Sequence, residues 1–191
     1  MAHVERTAEV AWSGTIARGM GMASGGSGAI RGLPITLASR FGAPEGKTSP
    51  EELIAAAHAG CFAMALGSVL AGRGTPPERL DVSVRVTVET SGIPKITSSD
   101  LDVHGVVPRS DPTAFAQASH EAEQNCLVSR ALQGNVEIRV HPTLDKRPSS
   151  SAASASSALP VSAFALSTRS GSPRKRVASR VRPLLMGYGP K

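Results

Sequence analysis

The chain has 191 residues, 40% of them hydrophobic, which suffices for one folded domain with a tail. Its net charge of +6 is unevenly distributed. Residues 1–145 carry 12 basic and all 15 acidic side chains, whereas residues 146–191 carry nine basic and no acidic ones. The first part therefore lacks the positive surface that nucleic-acid binding requires, and nucleic acid is not an expected partner.

The two parts also differ in composition. Residues 146–191 include six Ser between positions 149 and 157 and have too little apolar surface to offset the entropy of folding. We predict a folded domain over 1–145 and a basic, Ser/Ala-rich, disordered tail over 146–191.

The N-terminus has no apolar stretch of the kind that directs secretion, and no apolar run approaches the roughly 20 residues of a membrane span. A cytoplasmic protein with no membrane partner is therefore expected. In that reducing compartment the two cysteines, Cys61 and Cys126, favour catalysis over a structural disulfide.

In chain order, residues 7–41 predict a β-rich region. Segments 8–12 and 15–18 flank a turn, a glycine-rich stretch from Gly19 to Gly32 then interrupts the strands, and residues 33–41 predict a further strand. Trp12, the only tryptophan, is expected in the core.

The clearest helix begins after Ser49. Ser49 suits the N-cap, Pro50 suits the first helical position, and Glu52 completes a capping box. The helix should run to about Leu70, and its apolar residues lie on nearly every face, which predicts a central, buried helix.

The second half alternates between strands and helix. Residues 80–89 alternate strictly between apolar and polar, which predicts a half-buried strand, and 96–107 predict its neighbour. A second helix is capped by Asp111 and runs to about Cys126, with a continuation toward Leu132, before a last strand at 136–144.

Three of these segments resemble one protein family. The helix SPEELIAAAHAGCFAMAL at 49–66 closely resembles the first-cysteine helix of the OsmC/Ohr family of osmotically inducible and organic-hydroperoxide-resistance proteins. The segment CLVS at 126–129 is similar to the family's second-cysteine motif, and Arg40-Phe41 fits the OsmC branch. The resemblance covers roughly residues 8–145.

The resemblance implies both a fold and an activity. The implied fold is α+β, with antiparallel sheets wrapped around two central helices in an intertwined homodimer. The implied reaction is thiol-dependent reduction of organic hydroperoxides, and less efficiently of hydrogen peroxide, without a cofactor or metal. By position, Cys61 is the peroxidatic cysteine, Cys126 the resolving one, and Arg40 with Glu51 the activating pair. An external dithiol, such as a dihydrolipoyl protein, is the implied reductant.

One residue departs from the family pattern. Leu127 stands where the family's second motif usually has Pro. A Pro there begins a fresh helix, whereas Leu127 permits one continuous helix through Cys126.

The chemistry itself requires an activated thiol. A free cysteine has a pKa of about 8.5, and burial raises it further, so Cys61 needs a nearby cation, which Arg40 can supply. Glu51 can fix the guanidinium by a bidentate contact. Glu51 and Cys61 are ten residues apart, about 15 Å along one helix, so we expect Arg40 and Glu51 to serve the Cys61 of a partner subunit. Apolar neighbours such as Phe62 and Met64 favour an organic substrate.

Other interpretations of these residues remain open. His58 shares a helix face with Cys61 and could be a base or a zinc ligand, although a packed histidine is the simpler expectation. The chain could also be a catalytically weak binding or stress-response module that holds an apolar ligand at the dimer interface. A third possibility is an interaction protein that acts through its tail.

Overall fold

The computed structural model of the chain describes residues 3–145, and the tail predicted at 146–191 lies outside them. Two three-stranded sheets, with strand orders β1-β2-β3 and β4-β5-β6, are combined with four helices. The elements in chain order are β1 (Ala8–Ser13), β2 (Met20–Gly25), β3 (Leu33–Ile35), α1 (Leu37–Phe41), α2 (Pro50–Gly72), β4 (Arg79–Glu89), β5 (Lys95–Val106), α3 (Pro112–Asn125), α4 (Leu127–Leu132) and β6 (Glu137–Leu144). The α+β fold class is confirmed.

The N-terminal sheet differs in detail from the expectation. Residues 15–18 form part of the connection rather than a strand, and the second strand is β2, inside the glycine-rich stretch. Glycine is tolerated here because Gly21 lies under the Trp12 ring, where an added Cβ would come within 2.9 Å of it. The glycines therefore allow close approach instead of interrupting the sheet.

The strand expected over residues 33–41 is also wrong beyond Ile35. Helix α1 follows at once, since the Thr36 hydroxyl accepts a hydrogen bond from the Ser39 amide and the Ser39 hydroxyl accepts one from the Thr36 amide. This reciprocal capping box satisfies two amides at the start of a very short helix. It places Arg40 on a helical turn.

Helix α2 is confirmed at its predicted start. Ser49 is the N-cap and accepts a hydrogen bond from the Glu52 amide, with Pro50 in the first turn. The second half of the capping box is absent, because the Glu52 carboxylate accepts from the Thr48 hydroxyl at 2.7 Å. The helix has 23 residues and ends at Gly72.

The second sheet is only partly antiparallel. Strands β4 and β5 pair antiparallel as expected, and the apolar–polar alternation of β4 is confirmed by its alternating exposure. Strand β6, however, pairs parallel to β5. The reason is topological: helices α3 and α4 lie between the two strands and return the chain to the same end of the sheet. The expectation of wholly antiparallel sheets is corrected accordingly.

The core lies between this second sheet and helices α2 and α3. Burial of these side chains is the main stabilising contribution, at about 25 cal/mol per Å² of apolar surface. The fully buried apolar side chains are Phe62, Leu66, Leu101, Val103, Ala118, Ala122 and Cys126, with Phe115 and Leu70 at 1% exposure.

The N-terminal sheet has no comparable core within one chain. Every residue of β1 is exposed, and Trp12, expected inside, is 39% exposed. The expectation for Trp12 is wrong for the single chain, because the sheet places no helix over this side chain. Met64 of α2 is even more exposed, at 78%. Both elements, β1 and α2, therefore carry large apolar side chains at the surface.

Helix α2 also meets the length and composition requirements of a membrane span. Its 18-residue window has a mean hydropathy of 1.8, and 28% of that window is buried in the fold. The expectation that no apolar run approaches that length is therefore wrong for this helix. Within the fold, Phe62 and Leu66 on its buried side cover the sheet.

Candidate active site

The two cysteines meet where three helices converge. Cys61 lies in the middle of α2 and is half-buried, whereas Cys126 is fully buried between α3 and α4. Both are free thiols, and their side chains are in hydrogen-bond contact. Residues 65 positions apart in the sequence thus come close enough to react with each other.

The helix through Cys126 is broken, so the continuous helix that Leu127 would permit does not form. Cys126 has φ −70° and ψ 120°, so it ends α3 and begins α4 as its N-cap. Its sulfur accepts a hydrogen bond from the Ser129 amide at 3.5 Å, while its own amide still donates to the Ala122 carbonyl at 2.9 Å. The sulfur replaces the capping oxygen that such a break normally uses, so proline is not required.

The break aims backbone donors at Cys61. The Leu127 and Val128 amides, left without partners in the first turn of α4, donate to the Cys61 sulfur. Burial raises the pKa of the Cys61 thiol. The hydrogen bonds from the Val128 amide, the Cys126 thiol and the Leu127 amide outweigh burial and bring the pKa below its ordinary value.

The two thiols are therefore electrostatically unequal. The pKa of Cys126 is raised, chiefly by burial, with its contact to Cys61 acting in the same direction. Ser129 acts against burial through its hydroxyl and its amide. Of the pair, Cys61 is the more acidic thiol and Cys126 the less acidic one, which is the order that a nucleophile at Cys61 requires.

Arg40 and Glu51 form a second, separate cluster. The Arg40 Nε and Nη2 atoms donate to the same carboxylate oxygen, Oε1 of Glu51, at 2.9 and 2.7 Å. Glu51 thus fixes the guanidinium through two hydrogen bonds, although both fall on one carboxylate oxygen rather than on two. Oε2 of Glu51 is buried and has no hydrogen-bond partner among residues 3–145. The guanidinium also lies 5.2 Å from the centre of the Phe41 ring.

This cluster borders an open cavity of about 630 Å³. Its walls come from α1, the first turns of α2, and the Val84, Val86 and Val88 face of β4. The cavity combines a fixed cation with an apolar wall, and 43% of the Arg40 side chain remains exposed.

The two clusters are not joined within one chain. Glu51 and Cys61 are separated by ten residues of α2, or about 15 Å. Among the described residues, none of the groups that set the Cys61 pKa is charged. The structure thus brings Cys61 to Cys126 and Arg40 to Glu51, and it does not bring the pairs to each other.

The two apolar neighbours expected to favour an organic substrate, Phe62 and Met64, lie in different environments. Phe62 is fully buried in the core and cannot contact a substrate, because α2 directs it away from Cys61 and toward the sheet. Met64 is open to solvent. The expectation for Phe62 is therefore wrong.

His58 is part of a buried network that the sequence did not reveal. Its Nδ1 lies 2.8 Å from the Ser99 hydroxyl and its Nε2 lies 2.8 Å from the Ser129 hydroxyl. Burial lowers the pKa of His58, so the imidazole is neutral. His58 is a packed histidine with both ring nitrogens satisfied. Its spacing of three residues from Cys61 was the only available signal, and its serine partners are distant in sequence.

A half-buried cysteine with a lowered pKa beside a second thiol is compatible with redox chemistry on sulfur. Comparison with known proteins places it more narrowly. The chain matches the family described as OsmC-like protein over residues 42–141. It is 34% identical over 137 residues to peroxiredoxin OsmC of Escherichia coli K12, a match that covers 71% of this chain and 94% of that protein.

Solved structures show the same fold. The organic hydroperoxide resistance protein OhrB of Bacillus subtilis matches with a TM-score of 0.57 and 25% identity, over 72% of this chain and 98% of that one. An OsmC protein of Legionella pneumophila matches with a TM-score of 0.60 over 75% of this chain and 99% of that one, although at only 20% identity. The chain belongs to the OsmC-like family, and at that level it is a peroxidase-type oxidoreductase.

Proposed function

We propose that this protein reduces organic hydroperoxides by a cycle on its two cysteines, with Cys61 as the attacking residue and Cys126 as the resolving one. The observation that carries the proposal is the Cys61 sulfur, which accepts hydrogen bonds from Cys126, Leu127 and Val128. These bonds favour the thiolate at neutral pH, and the thiolate is the form that attacks a peroxide.

The cycle has three steps. The Cys61 thiolate attacks the hydroperoxide, the O–O bond breaks, Cys61 becomes a sulfenic acid, and the departing alkoxide takes up a proton to leave as the alcohol. Cys126 then attacks the Cys61 sulfur, forming a disulfide and releasing water. An external dithiol, such as a dihydrolipoyl protein, reduces the disulfide by exchange and is itself oxidised.

A homodimer completes the proposed site. Arg40 and Glu51 are too far from the Cys61 of their own chain, so they act on the Cys61 of a second copy. The exposed Trp12 and Met64 side chains support an interface between copies, since large apolar side chains at the surface often mark protein–protein contacts. The buried and unpartnered Oε2 of Glu51 supports it as well, because such an atom usually has a donor.

The apolar wall of the Arg40 cavity supports an organic substrate. Val84, Val86 and Val88 can contact an alkyl or aryl group, while Arg40 stabilises the negative charge that develops on the peroxide oxygen. Hydrogen peroxide has no apolar part and gains only the second interaction. Because the cycle needs a dithiol reductant, the cytoplasm is the proposed location.

Thiol titration after treatment with cumene hydroperoxide tests the cycle. The reduced wild-type protein should lose two free thiols per chain and form one intrachain disulfide, detected by mass spectrometry. Cys61→Ser should abolish turnover, whereas Cys126→Ser should consume one equivalent of peroxide and stop at the oxidised Cys61.

Two results would reject the proposal. If Cys61→Ser turned over peroxide as fast as wild type, the assigned nucleophile would be wrong. If the wild-type protein consumed no peroxide and kept both thiols, the chain would instead be a binding module, and retention of an apolar probe in the Arg40 cavity would then be the measurement to make.

A further inference from the structure

The buried network around His58 reaches a reacting sulfur. It runs from Ser99 on β5, through His58 on α2, to Ser129 on α4. Ser99 and His58 are 0% exposed and Ser129 is 2% exposed, so the network is closed to solvent. At its end, the Ser129 amide donates to the Cys126 sulfur at 3.5 Å, and the Ser129 side chain acts on the same thiol in the direction that lowers its pKa.

The network can carry only a limited set of proton arrangements. A neutral imidazole has one N–H donor and one bare nitrogen acceptor, and each serine hydroxyl has one proton. When Nε2 of His58 donates to Ser129 Oγ, the Ser129 proton is free to point at the Cys126 sulfur. The Ser99 hydroxyl then donates to the bare Nδ1. All three hydrogen bonds run in one direction, toward Cys126.

We infer that Ser129 assists the second chemical step by donating its hydroxyl hydrogen bond to the Cys126 sulfur, and that His58 is a positioning residue that orients this hydroxyl. The inference rests on the proposed peroxidase cycle and deepens it. It assigns a role to a network that touches neither the peroxide nor Cys61.

Cys126 is the thiol that needs such help. In the second step, Cys126 sulfur bonds to Cys61 sulfur, the S–O bond of the sulfenic acid breaks, and the Cys126 proton joins the departing hydroxide as water. Cys126 is oxidised and the Cys61 sulfenic acid is reduced to the disulfide level, so the step needs no other oxidant or reductant. A donor at the Cys126 sulfur stabilises the negative charge that develops as its proton leaves.

The role of Ser129 is separable from the first step. Ser129 is not among the groups that influence the Cys61 pKa, which are burial, Val128, Cys126 and Leu127. Loss of the Ser129 hydroxyl should therefore leave attack on the peroxide unchanged and slow only disulfide formation.

Single-turnover kinetics separate the two steps. The reduced full-length protein is mixed with one equivalent of cumene hydroperoxide and quenched over time, and sulfenic acid, trapped with dimedone, and disulfide are quantified by mass spectrometry. Ser129→Ala retains the amide that donates to Cys126 and removes only the hydroxyl. It should slow conversion of sulfenic acid to disulfide roughly tenfold, the effect of one hydrogen bond to a charged group.

A matched control is available on α3. Ser119 is 1% exposed, and its hydroxyl bonds only to the Phe115 carbonyl of its own helix at 2.9 Å. Ser119→Ala removes an equally buried hydroxyl and should leave both steps at wild-type rates. If Ser129→Ala fails to fold, Ser129→Thr and Ser129→Val, which differ only in the hydroxyl, make the same comparison.

Substitutions at His58 distinguish orientation from packing. Glutamine places an amide near the position of Nε2 and can still donate to Ser129, whereas asparagine places one near Nδ1 and reaches only toward Ser99. His58→Gln should form the disulfide faster than His58→Asn. A purely structural role would slow both variants equally, together with the first step.

The outcomes are distinguishable from failure of the proposed function. Wild-type protein that consumes no peroxide removes both proposals. Wild-type protein that forms the disulfide, with Ser129→Ala forming it equally fast, overturns the role of Ser129 alone. Equal rates for His58→Gln and His58→Asn overturn the positioning role of His58.

Discussion

Helix α2 contributes to two sites, one around Cys61 and one around Glu51, and these sites differ in how complete they are within one chain. At the middle of the helix, Cys61 has donors from Cys126 and from the start of α4, and His58 has both nitrogens satisfied. At the N-terminal end, Arg40 is 43% exposed and one oxygen of Glu51 is buried without a partner among the described residues. The Cys61 thiol can be activated by groups of its own chain, whereas Arg40 has no cysteine to act on among the described residues of the same chain.

This difference changes the account of activation. A cation was expected to be indispensable because a free cysteine is mostly protonated at neutral pH and burial raises its pKa further. The structure shows that the start of a different helix, α4, supplies backbone donors instead. We infer a division of work in which α4 favours the Cys61 thiolate and Arg40 from a second copy orients the peroxide and stabilises its departing oxygen.

The strongest test of this difference places the substitutions of Arg40 and of Cys61 on different chains of one dimer. Arg40→Ala and Cys61→Ser should each lower peroxide turnover by roughly 10²-fold or more, since one removes a charge at the reacting oxygen and the other the nucleophile. Co-refolded together, the two variants should regain about a quarter of wild-type activity, because half of randomly assorted dimers contain one complete site.

The control for this mixture is the double variant refolded with wild-type protein. It places both defects on the same chain, so each mixed dimer carries Arg40 and Cys61 only on its wild-type subunit and has no complete site if the pair acts across subunits. Wild-type dimers, about a quarter of the total, are active in this control in either case, so the expected activity is about a quarter of wild type. No recovery in the first mixture, with about half of the wild-type activity in the second, would show that Arg40 acts within its own chain.

A charge on the exposed face of α2 tests the interface itself. Met64→Glu should weaken association by roughly 10²-fold, because burial of an unpaired carboxylate costs several kcal/mol. Sedimentation velocity should show monomer, and peroxide turnover should fall in parallel. Gln117→Glu, on the exposed side of α3, is the control and should remain dimeric. A monomeric wild-type protein with full activity would contradict the proposal.

Local sequence signals predicted the parts of the fold that depend on local chemistry. The start of α2 followed from Ser49 and Pro50, and β4 followed from its alternating valines. Helix α1 was missed because its capping pair, Thr36 and Ser39, is a weak signal after a strand. The parallel pairing of β6 is a property of chain topology, which no local pattern contains.

The site shows the same limit. The pairing of Cys61 with Cys126, and of Arg40 with Glu51, came from resemblance to a family rather than from spacing. The break at Cys126 was not predicted because Cys126 itself is the N-cap of α4, with its sulfur accepting from the Ser129 amide, and cysteine is not among the residues that usually signal an N-cap.

The pH dependence of Cys61 sharpens the claim that its activation is local. The pKa of Cys61 is below its ordinary value, so alkylation by iodoacetamide should rise with pH earlier than for an ordinary thiol and then reach a plateau. Cys126→Ala removes one donor and should move this rise to higher pH, lowering the rate at pH 7 about threefold to tenfold. The plateau at high pH should not change.

Arg40→Ala provides the contrast in the same measurement. Because Arg40 is not among the groups that set the Cys61 pKa within one chain, this variant should keep the early rise even though its peroxide turnover is low. A rise displaced to higher pH in Arg40→Ala would mean that the cation, and not the start of α4, controls the thiolate.

The smallest expected effect concerns Leu127. This residue occupies the first position of α4, its side chain is 70% exposed, and the extended Cys126 before it is compatible with a following proline. Leu127→Pro should lower the entropy of the unfolded chain, a gain of about 0.4–1 kcal/mol, but it also removes the amide that donates to Cys61, so the net change in the free energy of unfolding, measured by urea denaturation, should be under about 0.5 kcal/mol.

The same substitution should weaken the activation of the Cys61 thiol. Proline has no amide hydrogen, so the Cys61 sulfur loses the donor that Leu127 supplies, and the pKa of Cys61 should rise. Leu127→Ala keeps the amide and is the control for the lost side chain. A Leu127→Pro protein that is as stable as wild type and equally reactive at pH 7 would show that the Val128 amide and the Cys126 thiol suffice to favour the thiolate.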